Sequence, residues 1–251
     1  MNKKNIKNLN KKNVETGLFL IEGESILSEY VKFAPQHIKK ICCKYLKDEA
    51  KYSKFKAKLI SLESWEKTES ANYRRPTSPV FGLVDVPELD SVDLLEKLRT
   101  TQPSLVVMLD HIQDPRNLGA IARSLAFFGI DTLIIPNVRQ ARVTDFSLAT
   151  SQGAFAHVNL YVVANLSRIL EDIKKEGYWV LGADMEGEPA ENLAGFYSKC
   201  CLVLGSEDKG ISKLIKEKCD RMISVHRKSG KLESLNVSVA AGILVSNLSS
   251  K

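Results

Sequence analysis

The chain has 251 residues, of which 44% are hydrophobic and 26% charged, enough apolar material for one large domain or two small ones. No stretch approaches the roughly 18 consecutive apolar residues of a membrane span, and five cysteines, odd in number and never spaced as CxxC, point to neither a disulfide framework nor a zinc site. The net charge of +6 suits a nucleic-acid partner without requiring one.

Residues 1–13 (MNKKNIKNLNKKN) lack the apolar core of a secretory signal and the Arg/Ser bias of a transit peptide. They read as a disordered basic arm on a cytoplasmic protein, and the plainest reading of such a run is a solvated tail. Residues 14–86 then alternate short apolar and amphipathic stretches. Strands are expected at Gly17–Ile21, His37–Cys42, Lys58–Ile60 and Val80–Val86, and helices at Glu22–Val31, Leu46–Ala57 and Leu62–Ser70. That is the pattern of a small α/β domain. Lys39, Lys40, Lys44, Lys47, Lys51, Lys54, Lys56 and Lys58, with Tyr45, Tyr52 and Phe55 among them and Arg74 and Arg75 in the exposed YRRPT loop, could track phosphates. They could equally be an ordinary solvated face. Residues 87–103 (PELDSVDLLEKLRTTQP), polar and bounded by prolines, are expected to be a linker with room for one short helix.

The second domain, residues 104–251, is organised around LVVMLDHIQDPRNLGAIARSLAFFGIDTLII, Leu105–Ile135. A buried strand at Leu105–Leu109 leads through a polar loop to a helix opened by Asn117. Leu118, Ile121, Leu125 and Phe128 follow at helical spacing, Gly129 is the stop, and Thr132–Ile135 is the next strand. In an open parallel sheet the loop of such a unit faces the ligand. Asn117 could be a cap alone, and Arg123, nearly two turns on, an ordinary surface cation. Further strands are expected at Val158–Val162, Tyr178–Ala183, Cys200–Leu204 and Met222–Val225. Helices are expected at Val143–Ala149, at Asn165–Glu176 and in the weakly charged VSVAAGILVSNL run, which should be buried on most sides. Asp184–Ala194 and His226–Glu233 are expected to be loops. The turn GSEDKGIS, Gly205–Ser212, is neither GxGxxG nor a P-loop, and Glu207 in it could simply favour a helix N-terminus. Ser234 or Asn236 could likewise be only the cap of the last helix.

DPRNLGAIAR (Asp114–Arg123), LVLGSEDKGIS (Leu202–Ser212) and SLNVSVAAGIL (Ser234–Leu244) occur in this order, each ending a strand or opening a helix. Together they resemble the three signature motifs of the SpoU (TrmH-like) ribose 2′-O-methyltransferases of the SPOUT superfamily. The resemblance covers nearly all of the second domain. Residues 18–86 are similar in layout to the family's small substrate-binding domain, which resembles ribosomal protein L30e.

The resemblance implies an α/β chain: a SPOUT domain, a parallel sheet closed by a trefoil knot from Gly205 onward, preceded by an L30e-like α/β domain. It implies S-adenosylmethionine as cofactor, no metal, and a homodimer with its sites near the interface. Carried over residue by residue, Asn117, Arg123, Glu207, Ser234 and Asn236 form the catalytic group, and Gly205, Gly210, Val225 and Leu235 bind the cofactor. The activity implied is 2′-O-methylation of a ribose in 23S ribosomal RNA. The alternatives are the same chemistry on tRNA or on an rRNA site that confers antibiotic resistance, or a non-catalytic RNA-binding or ribosome-assembly protein.

Overall fold

A computed structural model describes residues 17–45, 49–70, 72–193, 195–226 and 234–249. The proposed arm at 1–13, the start of the expected Leu46–Ala57 helix and most of the His226–Glu233 loop lie outside these residues. Two compact units result: one from residues up to Pro87 together with Arg142–His157, the other from Glu88–Ala141 together with Val158 onward. No helix among the described residues is long and apolar enough to cross a membrane.

The first unit runs β1 (Leu18–Glu22), α1 (Glu24–Phe33), β2 (Ile38–Cys43), β3 (Leu59–Ile60), α2 (Leu62–Thr68) and β4 (Val80–Asp85). Its four-stranded sheet has the order β1-β4-β2-β3, antiparallel except for the β2–β3 pair. Leu20, Cys42, Trp65, Tyr73, Phe81 and Leu83 form its core, with Trp65 edge-on to Phe81 at 4.8 Å. Gly82 sits centrally in β4 because a Cβ there would lie 2.5 Å from the Lys40 carbonyl oxygen. The Lys-rich segment is a 3₁₀ helix at Ala50–Lys58, broken at Tyr52 and Phe55, rather than an α-helix.

The second unit opens inside the stretch expected to be a linker. β5 (Glu88–Leu89) pairs with a strand of the second unit's sheet, and α3 (Ser91–Thr100) follows it. Asp90 accepts from the Val92 and Asp93 amides while Asp93 accepts from the Asp90 amide, a reciprocal cap. Leu94 and Leu98 are buried. The polar composition that suggested a linker belongs to the solvent face of an amphipathic helix.

Next come β6 (Leu105–Asp110), α4 (Pro115–Phe127) and β7 (Thr132–Pro136). The chain then passes to the first unit, where α5 (Asp145–Ser151) accepts the Leu20 amide on the Asp145 carboxylate at 2.9 Å. It returns as β8 (Asn159–Val163), α6 (Leu166–Lys175), β9 (Trp179–Pro189), β10 (Cys200–Gly205), α7 (Lys213–Lys216), β11 (Arg221–Ser224) and α8 (Val237–Ser249). The sheet is wholly parallel, in the order β11-β9-β10-β6-β7-β8-β5. All six residues of β6 and all six of β10 are buried, as central strands covered on both faces must be.

On one face Leu94, Leu98, Leu166, Ile169, Leu170 and Ile173 cover Val106, Met108, Val180 and Val203. α8 packs on α4. β9 outruns its expected end at Ala183 because β11 continues on it through a register shift to Glu188 and Pro189. Gly187 permits this, since a Cβ there would meet the Ile223 amide at 2.5 Å. α8 is less buried than its sequence suggested: Ala241, Leu244 and Val245 face inward, while Val239 and Ile243 are exposed.

Candidate active site

The site is assembled at the carboxyl ends of β6 and β10, which lie in parallel register with Asp110 opposite Gly205. Beyond β6 the chain turns through residues 111–114 into α4. The cap of this helix is Asp114, three residues ahead of the expected Asn117: its carboxylate accepts from the Arg116 amide at 2.8 Å, with Pro115 at the first helical position. Proline's fixed φ and missing N–H suit that place, so Asn117 falls inside the first turn with its side chain free for other partners. The Arg116 guanidinium, bonded to Asp114, holds that carboxyl below its usual value.

Beyond β10 the chain doubles back. Ser206 and Gly210 exchange two backbone hydrogen bonds, at 3.0 and 2.9 Å, and Gly210 takes φ +65°. The returning backbone lies directly on Gly205, where a Cβ would be 2.0 Å from the Gly210 carbonyl carbon. Only glycine lets the chain cross itself so closely. The Ser212 amide then donates to Asp110 Oδ2 at 2.7 Å, tying the end of the turn to β6. α7 is one turn long and starts at Lys213, so Glu207 is no helix-terminal carboxylate but projects from the turn itself.

Three of the five residues carried over as catalytic meet. Asn236 Nδ2 donates to Asn117 Oδ1 at 3.1 Å, and Asn117 Nδ2 donates to Glu207 Oε1. Asn236 is also a cap: its Oδ1 accepts from the Ser238 amide at 2.9 Å and from the Ser238 hydroxyl at 2.6 Å. One asparagine therefore both starts α8 and joins it to α4. The two other residues stand apart within the chain. Ser234 is exposed, with no hydrogen bond from its hydroxyl among the described residues. Arg123 is exposed and pairs with no carboxylate among the described residues. Arg123 borders an open apolar groove with Phe127, Val239 and Ile243, between α4 and α8.

Of the residues carried over as cofactor-binding, Gly205 and Gly210 make the crossing turn. Val225 follows β11 half-buried, and Leu235 is 48% exposed beside Asn236. Two residues that sequence reasoning passed over lie at the centre of the edge: Asp110, wholly buried, and His111, whose Nδ1 is 2.5 Å from Asp110 Oδ1. Their only sequence signal is an Asp-His pair directly after a buried apolar run.

The basic face of the first unit carries less free charge than its sequence count. Lys39 pairs with Asp85 at 2.7 Å, Lys51 with Glu24 at 2.6 Å, Lys40 with Glu69 and Arg74 with Glu22. Lys44 and Lys58 donate to backbone carbonyls. Lys54, Lys56 and Arg75 are exposed and pair with no carboxylate among the described residues.

Residues 104–246, more than half of the chain, match the SpoU rRNA Methylase family. A curated relative from Mycobacterium avium, named an uncharacterized tRNA/rRNA methyltransferase, is 42% identical over 157 residues, or 62% of this chain and 50% of the relative. The chain thus spans about half the length of the mycobacterial relatives it matches. Among solved structures, an AdoMet-bound rRNA methyltransferase from Sinorhizobium meliloti is similar over 97% of this chain and 92% of its own, with a TM-score of 0.77 at 20% identity. A TrmH/SpoU tRNA modifying enzyme from A. aeolicus is similar over 63% of this chain and 82% of its own, with a TM-score of 0.52 at 26% identity. The family match takes in all three motif segments whose side chains meet at Asn117, and the chain belongs to the SpoU rRNA methylase family.

Proposed function

We propose that this protein transfers a methyl group from S-adenosylmethionine to the 2′-hydroxyl of a ribose in 23S ribosomal RNA, in the cytoplasm. The observation that carries this is the chain Asn236–Asn117–Glu207, which joins the three motif segments at one sheet edge. The residues there suit the cofactor. The Gly205–Gly210 turn offers backbone without side-chain bulk, Leu235 and Val225 offer apolar surface for an adenine ring, and Glu207 supplies negative charge near a cationic ligand. When bound, the cofactor supplies an electrophilic methyl group. The chain's part is to orient the ribose and stabilise charge developing on its oxygen.

In this scheme Asn117 and Asn236 hold the motif loops and the substrate. Arg123 grips the adjacent phosphate bidentately. A guanidinium carries five N–H donors and no acceptor, so proton removal is a poor task for it. Threading of the last segment as a trefoil knot belongs to the same proposal. It is supported by the bond that ties the turn after β10 back to β6, Ser212 to Asp110, and by the meeting of Asn236 with Asn117. So does a homodimer: the groove beside Arg123 exposes Phe127, Val239 and Ile243, and a second copy covering it would bring Arg123 to an enclosed site.

Ribosomal RNA is favoured over tRNA because the similarity to the A. aeolicus tRNA enzyme stops at 63% of this chain. The similarity to the Sinorhizobium meliloti rRNA enzyme extends over 97%, so it takes in the first unit. The test is labelled S-adenosylmethionine with total RNA from a strain lacking the gene, after which 23S rRNA and tRNA are separated. Label on a ribose of 23S rRNA is the expected result. Label in tRNA moves the substrate, and no label in either overturns the activity. Arg123→Ala should keep cofactor binding and lose turnover by about 10²-fold or more, as expected for a lost transition-state contact. Unchanged turnover removes Arg123 from the scheme.

A further inference from the structure

The order of the second unit's sheet reverses at β6. β7 and β8 follow on one side of it, while β9 and β10 lie on the other. Open parallel sheets take their ligands in the crevice that such a reversal leaves at the carboxyl ends. The loop after β7 therefore borders the β6–α4 loop on the side away from the Gly205–Ser212 turn. Hydrogen bonds fix it there. The Ile112 amide donates to Gln140 Oε1 at 2.9 Å, the Ala141 amide donates to the Ile112 carbonyl at 2.7 Å, and Ile112 itself is buried. Just before Ile112, Asp110 Oδ2 accepts from the Ser212 amide at 2.7 Å, at the end of the turn that carries Glu207. The loop after β7 is thus tied, through the end of β6, to the group that Asn117 holds together.

Arg139 sits in this fixed loop, immediately before Gln140. Its φ is +54°, a left-handed conformation uncommon for any residue with a Cβ. Three other non-glycine residues share it among the described residues. Gln102 and Gln152 stand just past the ends of α3 and α5, the usual place for such a residue. His111 and Arg139 are instead in loops at the carboxyl edge, and His111 is bonded to the buried Asp110. Arg139 is exposed and pairs with no carboxylate among the described residues. Residues 137–141 (NVRQA) contain no acid, and Asn137 and Val138 beside it are exposed too, Val138 at 57%. The neighbouring cations differ: Arg116 is bonded to Asp114, and Lys209 shares its turn with Glu207 and Asp208. A planar guanidinium held out on fixed backbone, with no anion of its own, is suited to bidentate capture of a phosphate.

We propose that Arg139 is a substrate-binding residue that clamps a backbone phosphate of the RNA on the β7 side of the β6–α4 loop. This rests on the RNA methyltransferase reading above and extends it: Arg123 and Arg139 grip different phosphates, and the nucleic acid between them is held at two points. A single bidentate contact leaves a nucleotide free to swing about it. A second one fixes the ribose against the methyl donor, and alignment is what the reaction needs from the chain. Gln140 touches no substrate in this scheme; it holds the loop through Ile112 and is a positioning residue. Phosphate contacts carry no sequence information, so Arg139 sets the register and orientation of the RNA rather than the choice of base.

The test measures binding of the full-length protein to a 23S rRNA transcript and to total tRNA, with S-adenosylhomocysteine present, at salt concentrations between about 50 and 200 mM. Arg139→Gln removes the charge without asking the loop for a new backbone, since Gln102 and Gln152 hold the same left-handed conformation in this chain. Arg139→Lys keeps the charge. For whichever RNA the wild type binds more tightly, Arg139→Gln should lower affinity about 10-fold. The slope of log K against log salt should shrink by about 0.7, the share of one single-strand phosphate. Methyl transfer should lose kcat/KM in step, while the melting temperature and S-adenosylhomocysteine affinity stay at wild-type values. Arg139→Lys should recover the slope but only part of the affinity, because an ammonium is a point charge and not a fork. Wild-type affinity and slope in Arg139→Gln overturn the contact. So does a loss of affinity with an unchanged slope, which would assign Arg139 to a base edge or to the fold of its loop, and so does a lysine variant with the glutamine variant's slope. If the wild type binds RNA but transfers no methyl group, the activity proposed above falls while the slopes still decide the contact. If it binds neither RNA, both fall.

Discussion

Asn117 spends both ends of one amide on two other motif segments, donating to Glu207 and accepting from Asn236. A cap alone would need only its oxygen, and Asp114 already fills that position. Asn117→Ala leaves α4 capped but unties the turn after β10 from the start of α8. Two partly exposed hydrogen bonds, one to a carboxylate, are worth about 1–3 kcal/mol together. Turnover should therefore fall about 10- to 100-fold, and the melting temperature should drop by a few degrees. Wild-type turnover in this variant would show that the three-residue chain has no role in the reaction. Asn117 was legible as a candidate because its residue type and place within a motif are visible in sequence. Its partners, 90 and 119 positions away, are not, since side-chain pairing across such distances depends on how the sheet is ordered.

Most elements announce themselves through period and punctuation, and the exceptions have identifiable causes. α6 begins at its asparagine cap and ends before Gly177, whose φ of +84° suits a helix stop. α3 fills the place where the sequence allowed one short helix; what its polar solvent face hid is that Leu94 and Leu98 bury it against the second unit's core. Leu98→Ala should destabilise the protein by about 2–5 kcal/mol, the usual range for truncating a buried leucine. In a true linker the change would stay within about 0.5 kcal/mol. Chemical denaturation separates the two. The turn after β10 gives a second test at this scale. Gly205→Ala puts a methyl group 2.0 Å from the backbone of Gly210, which cannot yield as a side-chain tip would. A loss of about 1–3 kcal/mol and of S-adenosylmethionine binding is expected, by thermal unfolding and calorimetric titration. Unchanged values for both would mean that the crossing is looser than the structure places it.

At the scale of the molecule, one apolar face of the second unit remains uncovered. Phe127 is 83% exposed and Val239 49%, beside an arginine that pairs with none of the other motif side chains among the described residues. Phe127→Asp should convert the proposed homodimer to a monomer in sedimentation velocity and abolish methyl transfer, because charge on an apolar interface opposes its burial. A dimer that survives this change would place the interface elsewhere. Residue order alone was enough for the alternation of strands and helices, the all-buried β6 and β10, and the motif residues, because periodicity and local caps are short-range properties that survive in a linear string. The return of residues 142–157 to the first unit, the crossing over Gly205 and the Asp110–His111 pair were settled by tertiary folding. Each depends on which distant segments share a sheet edge, and a buried carboxylate reveals its partner only once the chain has been brought back upon itself.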